Sequence, residues 1–392
     1  MILNKYKFTY IMFYLFTAFC IINGIKHPII HAIGQYGKIL IAIISIIIFL
    51  FILNKIKEEI KVYKEHLLLI LFFSLFILFS FSLFLNNKDI GSLTYSILFG
   101  AYLLFIYFIT TVIVNKSEYN FYLLFQKIIL VVSIIAFILA FALNLSMHGE
   151  ELAGRVGFGG FYSARMAFGL LSAVGFIITF FLYQSNKKQK DFLLLFMFLC
   201  FVFLSESRTP QIIIIIFLLH YYLPKKIKTF ILIFIMPIIV YYVIFSIDSN
   251  TINTISSGRL FIWDIAYKEI LNNGIFNGFG IYNLNDLILT KYKYASNFFE
   301  KSDEISLHSS FLSIIASGGI ISLFIFLYIN YIIYKNSTNI YQSIQLSILI
   351  GSLFESYILS PNMPISLLYW STLFIQINII RKYNKNDKEN LF

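Results

Sequence analysis

Four of the five arginines in this chain, Arg155, Arg165, Arg208 and Arg259, stand in polar interruptions between long apolar runs, and His308 stands where the longest interruption meets the next run. A guanidinium offers a planar fork that grips two phosphate oxygens at once. An imidazole, with an ordinary pKa of about 6.5, takes up a proton near neutral pH. Together these groups suit transfer of a group from a phosphate leaving group to a hydroxyl. Arg259 is the sharpest case. Residues 258–271 read as a helix that Ser256 or Ser257 can cap, with Leu260, Trp263, Tyr267, Ile270 and Leu271 as one apolar stripe. A cation in the first turn opposes the helix dipole, so Arg259 is expected to serve an anion there, aided by the free N–H groups of the helix start. Asp303 and Glu304, just before His308, are candidates to orient its ring. A plain interfacial histidine, and pairing of each arginine with helix-end carbonyls, are the structural alternatives; for Arg165 the structural alternative is preferred.

The elements that must position these groups follow from composition. The 392 residues are 59% hydrophobic and only 12% charged, and the mean hydropathy is +0.83. Soluble domains carry about a quarter charged residues. Apolar runs near the length needed to cross a bilayer occur at about 8–25, 39–53, 67–85, 94–114, 121–143, 166–183, 192–204, 211–223, 229–245, 310–334, 343–359 and 367–380. The fold class is therefore an all-α polytopic membrane protein with about twelve transmembrane helices. It forms a single transmembrane domain over 1–392, and the first run is read as a retained helix rather than a cleaved signal. The runs at 192–204 and 211–223 are short. A long loop at 246–309, between spans nine and ten, contains short helices and is expected to carry the active site.

Charge sets the sidedness. With both termini in the cytoplasm, 18 of the 30 Lys and Arg fall in inner segments and 6 in short outer loops, as the positive-inside rule requires. Seventeen of those 18 inner charges are lysines, whereas the outer face holds four of the five arginines. The lysines set topology, which disfavours nucleic acid as a partner despite a net charge of +11.

Other segments are weighed likewise. Ionic residues in 205–210 (Ser-Glu-Ser-Arg-Thr-Pro) sit at the interface and must be paired or functional, and Glu206 is a simple counter-ion for Arg208. Arg155 lies in a glycine-rich stretch, 154–161, that allows close backbone approach to a ligand. Glu355, inside the eleventh apolar run, is read as bonded to a neighbouring helix. Cys20 and Cys200 have no partner spacing, and His27, His31 and His148 have no ligand spacing, so neither a metal nor a cofactor is expected.

Four elements in this order resemble the superfamily of O-antigen ligases and O-antigen and capsule polysaccharide polymerases. They are Arg155 with its glycines; Ser207-Arg208 between two spans; Ser257-Gly258-Arg259 with Ile262-Trp263 and Gly278-Phe279-Gly280; and His308 with Phe311-Leu312 and Gly318-Gly319-Ile320-Ile321. The resemblance covers about 150–334. It departs at Ser309, where members often have Asn, at Ser317, often acidic, and at 159–164, which lacks a Pro-Asn pair.

The resemblance implies a bacterial, metal-independent glycosyltransferase of the cytoplasmic (inner) membrane, working at its outer face on undecaprenyl-diphosphate-linked glycan. Arg259 and Arg208 would hold the diphosphate, Arg155 would be a further substrate contact, and His308 would be the catalytic base. Chain-length regulator and flippase proteins would be partners. A polymerase of repeat units is preferred. The alternatives are a ligase that transfers the glycan to the lipid A core, and a flippase or transporter of lipid-linked glycan. The transporter is disfavoured because no internal repeat is evident and the unusual residues gather at one face.

Overall fold

The computed structural model describes residues 2–25, 27–56, 64–87, 90–114, 117–143, 158–162, 164–224, 227, 259–273, 275–281, 283–292, 306–360 and 363–389. Among them thirteen helices run in the order α1 (Ile2–Ile22), α2 (Pro28–Ile56), α3 (Lys64–Asn87), α4 (Ile90–Val114), α5 (Glu118–Ala142), α6 (Arg165–Asn186), α7 (Gln189–Leu204), α8 (Arg208–Tyr222), α9 (Arg259–Asn273), α10 (Asn283–Tyr292), α11 (Ser310–Lys335), α12 (Asn339–Gly351) and α13 (Pro364–Glu389). No β-strand occurs among the described residues; Ile25 and Tyr162 form one isolated bridge. Five helices, in α3, α4, α5, α6 and α11, are long and apolar enough to cross a membrane. The expected span at 229–245 and Arg155 lie outside the described residues.

Local chemistry explains the helix starts. Pro28 and Pro364 open α2 and α13, where a missing N–H costs nothing and the fixed φ suits the helix. Ser117 caps α5 and Ser309 caps α11 with their side-chain oxygens. The short runs remain short: α7 has 16 residues and α8 has 15. They are joined by a tight turn in which Glu206 takes φ +48 and the Ser205 hydroxyl donates to Val202 O while accepting from Ser207 N.

α6 and α13 form the centre. Fourteen residues of α6 are buried, and Trp370, Tyr369, Leu373 and Ile375 of α13 are almost wholly enclosed. α6 packs on α5, α7, α8 and α13. The segment between α9 and α10 also reaches into the bundle. α11 breaks at Gly319 (φ 71, ψ 175), and the stretch after α9 lies in the break: Ile320 N donates to Ile275 O (2.9 Å), Phe279 N to Ala316 O (2.6 Å) and Gly280 N to Ser317 O (3.1 Å). A Cβ at Gly278 would stand 2.3 Å from Ser317 O, and one at Gly319 would stand 2.3 Å from Phe276 O, so two backbones meet where no side chain fits. This explains why the glycines of 278–280 and 318–319 belong together. The groups freed by the break are taken up by the inserted strand of chain.

Candidate active site

The site forms at the end of the bundle where α6, α8, α11 and α13 start and α7 and α12 finish. Phe158 N donates to Leu204 O (3.0 Å), and Ser310 N donates to Ser352 O (2.8 Å). A Cβ at Gly351 would touch Ile213, which ties the end of α12 to α8.

The apolar run expected to stay helical to 359 stops at Gly351, because residues 352–360 turn away from helical geometry before Pro364 restarts the chain as α13. Glu355 therefore lies outside a helix interior, in an irregular segment that is nonetheless fixed. Tyr357 OH donates to Ile348 O (2.5 Å), Trp370 Nε1 to Ile358 O (2.9 Å), and Ser310 Oγ to Glu355 O (2.8 Å). Such bonds are what a buried irregular backbone requires.

Glu355 joins the two sequence-derived groups. Its Oε1 accepts from Arg259 Nη2 at 2.5 Å, and its Oε2 lies 3.3 Å from His308 Nδ1. Arg259 Nη1 donates to Phe354 O at 2.6 Å. The Glu355 side chain is 4% exposed, whereas Arg259 is 24% and His308 32% exposed. A carboxylate thus lies beneath a guanidinium and an imidazole that both reach solvent. Such a buried charge is tolerable only when paired. Arg259 has five N–H groups, and the described contacts commit one on each terminal nitrogen.

His308 is held from both sides. It takes φ +47, an uncommon conformation for a residue with a Cβ and one that persists only when its surroundings enforce it. On one side Trp263 Nε1 of α9 donates to Leu307 O (2.7 Å). On the other, Ser309 N donates to Ser356 Oγ (2.9 Å). α9 packs through Ile262, Ile265, Ala266, Glu269 and Ile270, so of the stripe expected along 260–271 to lie on the membrane face or on neighbouring helices only Ile270 is fully buried, with Leu260 and Trp263 half-buried. Tyr267 and Leu271 of that stripe are exposed. The buried face follows from the partner surface: Leu307, Leu284 and Ile288 share one cluster with it. Glu269 accepts from Lys291 Nζ (2.6 Å) and Tyr292 OH (2.7 Å), stapling α9 to α10.

Arg208 is the exposed first residue of α8 at this same end. Asp303 and Glu304, the proposed ring-orienting groups, and the capping serines Ser256 and Ser257 lie outside the described residues. Sequence reasoning reads Glu355 as bonded to a neighbouring helix from inside a span; it does bond Arg259 of α9, but from the irregular segment after α12, and it meets His308 as well. Its signal was present: an acid in an apolar run needs a cation, and the arginines and His308 were the unassigned groups on that face. Among the described residues no cluster of His, Cys, Asp or Glu could hold a metal ion.

The helical bundle and this site define a class of all-helical protein with helices apolar enough to cross a membrane and with guanidinium, imidazole and carboxylate groups gathered at one end. Residues 192–327 match the family model described as O-antigen ligase. The resemblance to the O-antigen ligase and polymerase superfamily is thereby shown. The match spans α7 to most of α11 and includes Arg208, Arg259 and His308, while Glu355 lies beyond it. No curated protein and no solved structure matches the chain.

Proposed function

We propose that this chain is a metal-independent glycosyltransferase of the bacterial cytoplasmic membrane that polymerises undecaprenyl-diphosphate-linked repeat units at the outer face. The observation that carries this reading is the convergence of Arg259 and His308, distant in sequence, on the buried carboxylate of Glu355. With Nδ1 directed at Glu355, the Nε2 atom of His308 serves as proton acceptor. An acceptor hydroxyl attacks the anomeric carbon and its proton passes to Nε2. The bond from that carbon to the diphosphate breaks, and the electron pair leaves on the lipid diphosphate, whose charge Arg208 and Arg259 meet. Twelve spans, cytoplasmic termini and a chain-length regulator and flippase as partners complete the proposal.

The description of the matching family favours a second reading, transfer of the glycan to the lipid A core. The broken α11 is the feature that a transporter would share, but its freed backbone groups are occupied by 275–280, which supports surface chemistry. Purified chain given a defined lipid-linked donor separates the three. Lipid-linked polymer is the expected product, transfer only to lipid A core would establish the ligase, and movement of donor across a vesicle with no transfer would overturn both. For sidedness, Asn297→Cys should be labelled from outside intact cells and Lys388→Cys should not; the reverse pattern inverts the topology.

A further inference from the structure

His308 lies within a closed ring of contacts between three segments. α9 reaches the chain just before it, where Trp263 Nε1 donates to Leu307 O (2.7 Å). The irregular segment after α12 reaches the chain just behind it, where Ser356 Oγ accepts from Ser309 N (2.9 Å) and from Ser313 Oγ (3.1 Å). α9 and that irregular segment are joined in turn by Arg259, which bonds Phe354 O and the Glu355 carboxylate. Arg259 and Trp263 stand one turn apart on α9 and share a face. Seating α9 therefore sets the guanidinium on its carboxylate and the indole on Leu307 together.

Little freedom is left to the main chain at His308. Its own N–H donates to Ser306 Oγ (3.3 Å), the Leu307 side chain is buried in one cluster with Ile262, Ile265 and Ala266 of α9, and Ser309 caps α11. What these bonds hold is a left-handed backbone, φ +47, which a residue with a Cβ adopts only at a cost. Bonds that served stability alone would sooner relieve that strain than keep it. With the backbone held, the direction of Cβ is set, and the ring arrives with Nδ1 3.3 Å from Glu355 Oε2.

We infer that Trp263 and Ser356 are positioning residues, which act through His308 by holding the backbone conformation that aims its imidazole. The inference rests on the proton-accepting role that the proposed function gives to His308. Trp263 carries the larger share, since Ser309 keeps its cap on α11 when the Ser356 hydroxyl is lost.

The full chain in nanodiscs, given a lipid-linked donor and acceptor, tests this. Trp263→Phe keeps an aromatic ring and removes the N–H, so kcat should fall about tenfold with KM for the donor kept within about twofold. Ser356→Ala should lower kcat about threefold. Relief of the left-handed backbone offsets the lost hydrogen bond, so the apparent Tm of Trp263→Phe should move by less than about 2 °C. On a His308→Ala background the same substitution should cost no further turnover, because its effect passes through the imidazole. A second readout needs no substrate: the imidazole nitrogen resonances of His308, assigned by their loss in His308→Ala, should shift in both positioning variants. If the wild-type chain transfers nothing, the proposed function fails, and these resonances still report whether Trp263 and Ser356 aim the ring. Wild-type kcat and unmoved resonances in Trp263→Phe, beside lost turnover in His308→Ala, would overturn the inference and leave the proposed function standing. A fall in kcat that persists on the His308→Ala background, or that comes with a large drop in Tm, would make Trp263 a structural residue and overturn it too.

Discussion

The two ends of the helical bundle each hold a bonded histidine, and they use it differently. At the end opposite the candidate site, His220 is 6% exposed, with Nδ1 at 2.8 Å from Ser343 Oγ and Nε2 at 2.8 Å from Tyr334 OH. Both ring nitrogens are spent on hydroxyls from α11 and α12, so the ring ties three helices together. His308 is 32% exposed, faces a carboxylate through Nδ1 and sits on left-handed backbone. Satisfied and buried, an imidazole is a staple. About a third exposed, facing a carboxylate and held in an uncommon conformation, it is equipped to move a proton.

Substitution at the two histidines should break this comparison most sharply. His308→Ala is expected to lower kcat by about a hundredfold or more, with donor affinity nearly kept. His220→Leu should leave kcat near wild type and destabilise the fold by about 1–3 kcal/mol, as Tyr334 OH loses its partner and Ser343 Oγ keeps only its bond to Asn339 O. Steady-state kinetics beside thermal unfolding separate the outcomes. Equal kcat at saturating substrates in the His308 variant would leave the two ends alike.

The carboxylate comes next. Glu355→Gln retains size and hydrogen-bonding atoms but removes the charge shared by Arg259 and His308, and turnover should fall by roughly tenfold to a hundredfold. Glu355→Asp should recover part of it if orientation of the ring is what matters. No difference between the Gln and Asp variants would reduce Glu355 to a structural ion pair.

Arg259→Lys and Arg208→Lys ask whether the arginines act by charge or by shape. Lysine keeps the charge and loses the fork, so glycan transfer by inserted protein should fall about tenfold in each. Wild-type product lengths in both variants would assign these residues to topology.

The smallest effect belongs to the staple between α9 and α10. The hydrogen bond from Lys291 holds the Glu269 carboxyl below its ordinary range against the opposing effect of desolvation, with help from Tyr292. A carboxyl lowered in the folded state stabilises above its unfolded pKa of about 4.3 and loses that contribution as pH falls through the lowered value. Stability should therefore decline slightly below about pH 4, and Glu269→Gln should flatten that part of the profile. An unaltered profile in the variant would show that α9 is held on α10 by apolar packing alone.

What was legible in the sequence was local. Apolar length and glycine, proline and serine punctuation mark where helices run, and residue type alone marks Arg259, Arg208 and His308 as groups able to grip phosphate and take a proton. Apolar length misjudged the end of α12, because the irregular chain at 352–360 is itself buried and reads as apolar as the helix before it. The apolar stripe of α9 left open which of its residues neighbours cover: Leu307 and α10 take Ile270 together with Ile262, Ile265 and Ala266, and that depends on those partners, not on α9. Glu355 could be settled only in three dimensions. Its partners are 96 and 47 residues away in the chain, and composition alone cannot say which cation meets a buried acid. The packing of α9 and the start of α11 against the end of α12 decides it, because only there does the desolvated carboxylate find both a guanidinium and an imidazole within reach.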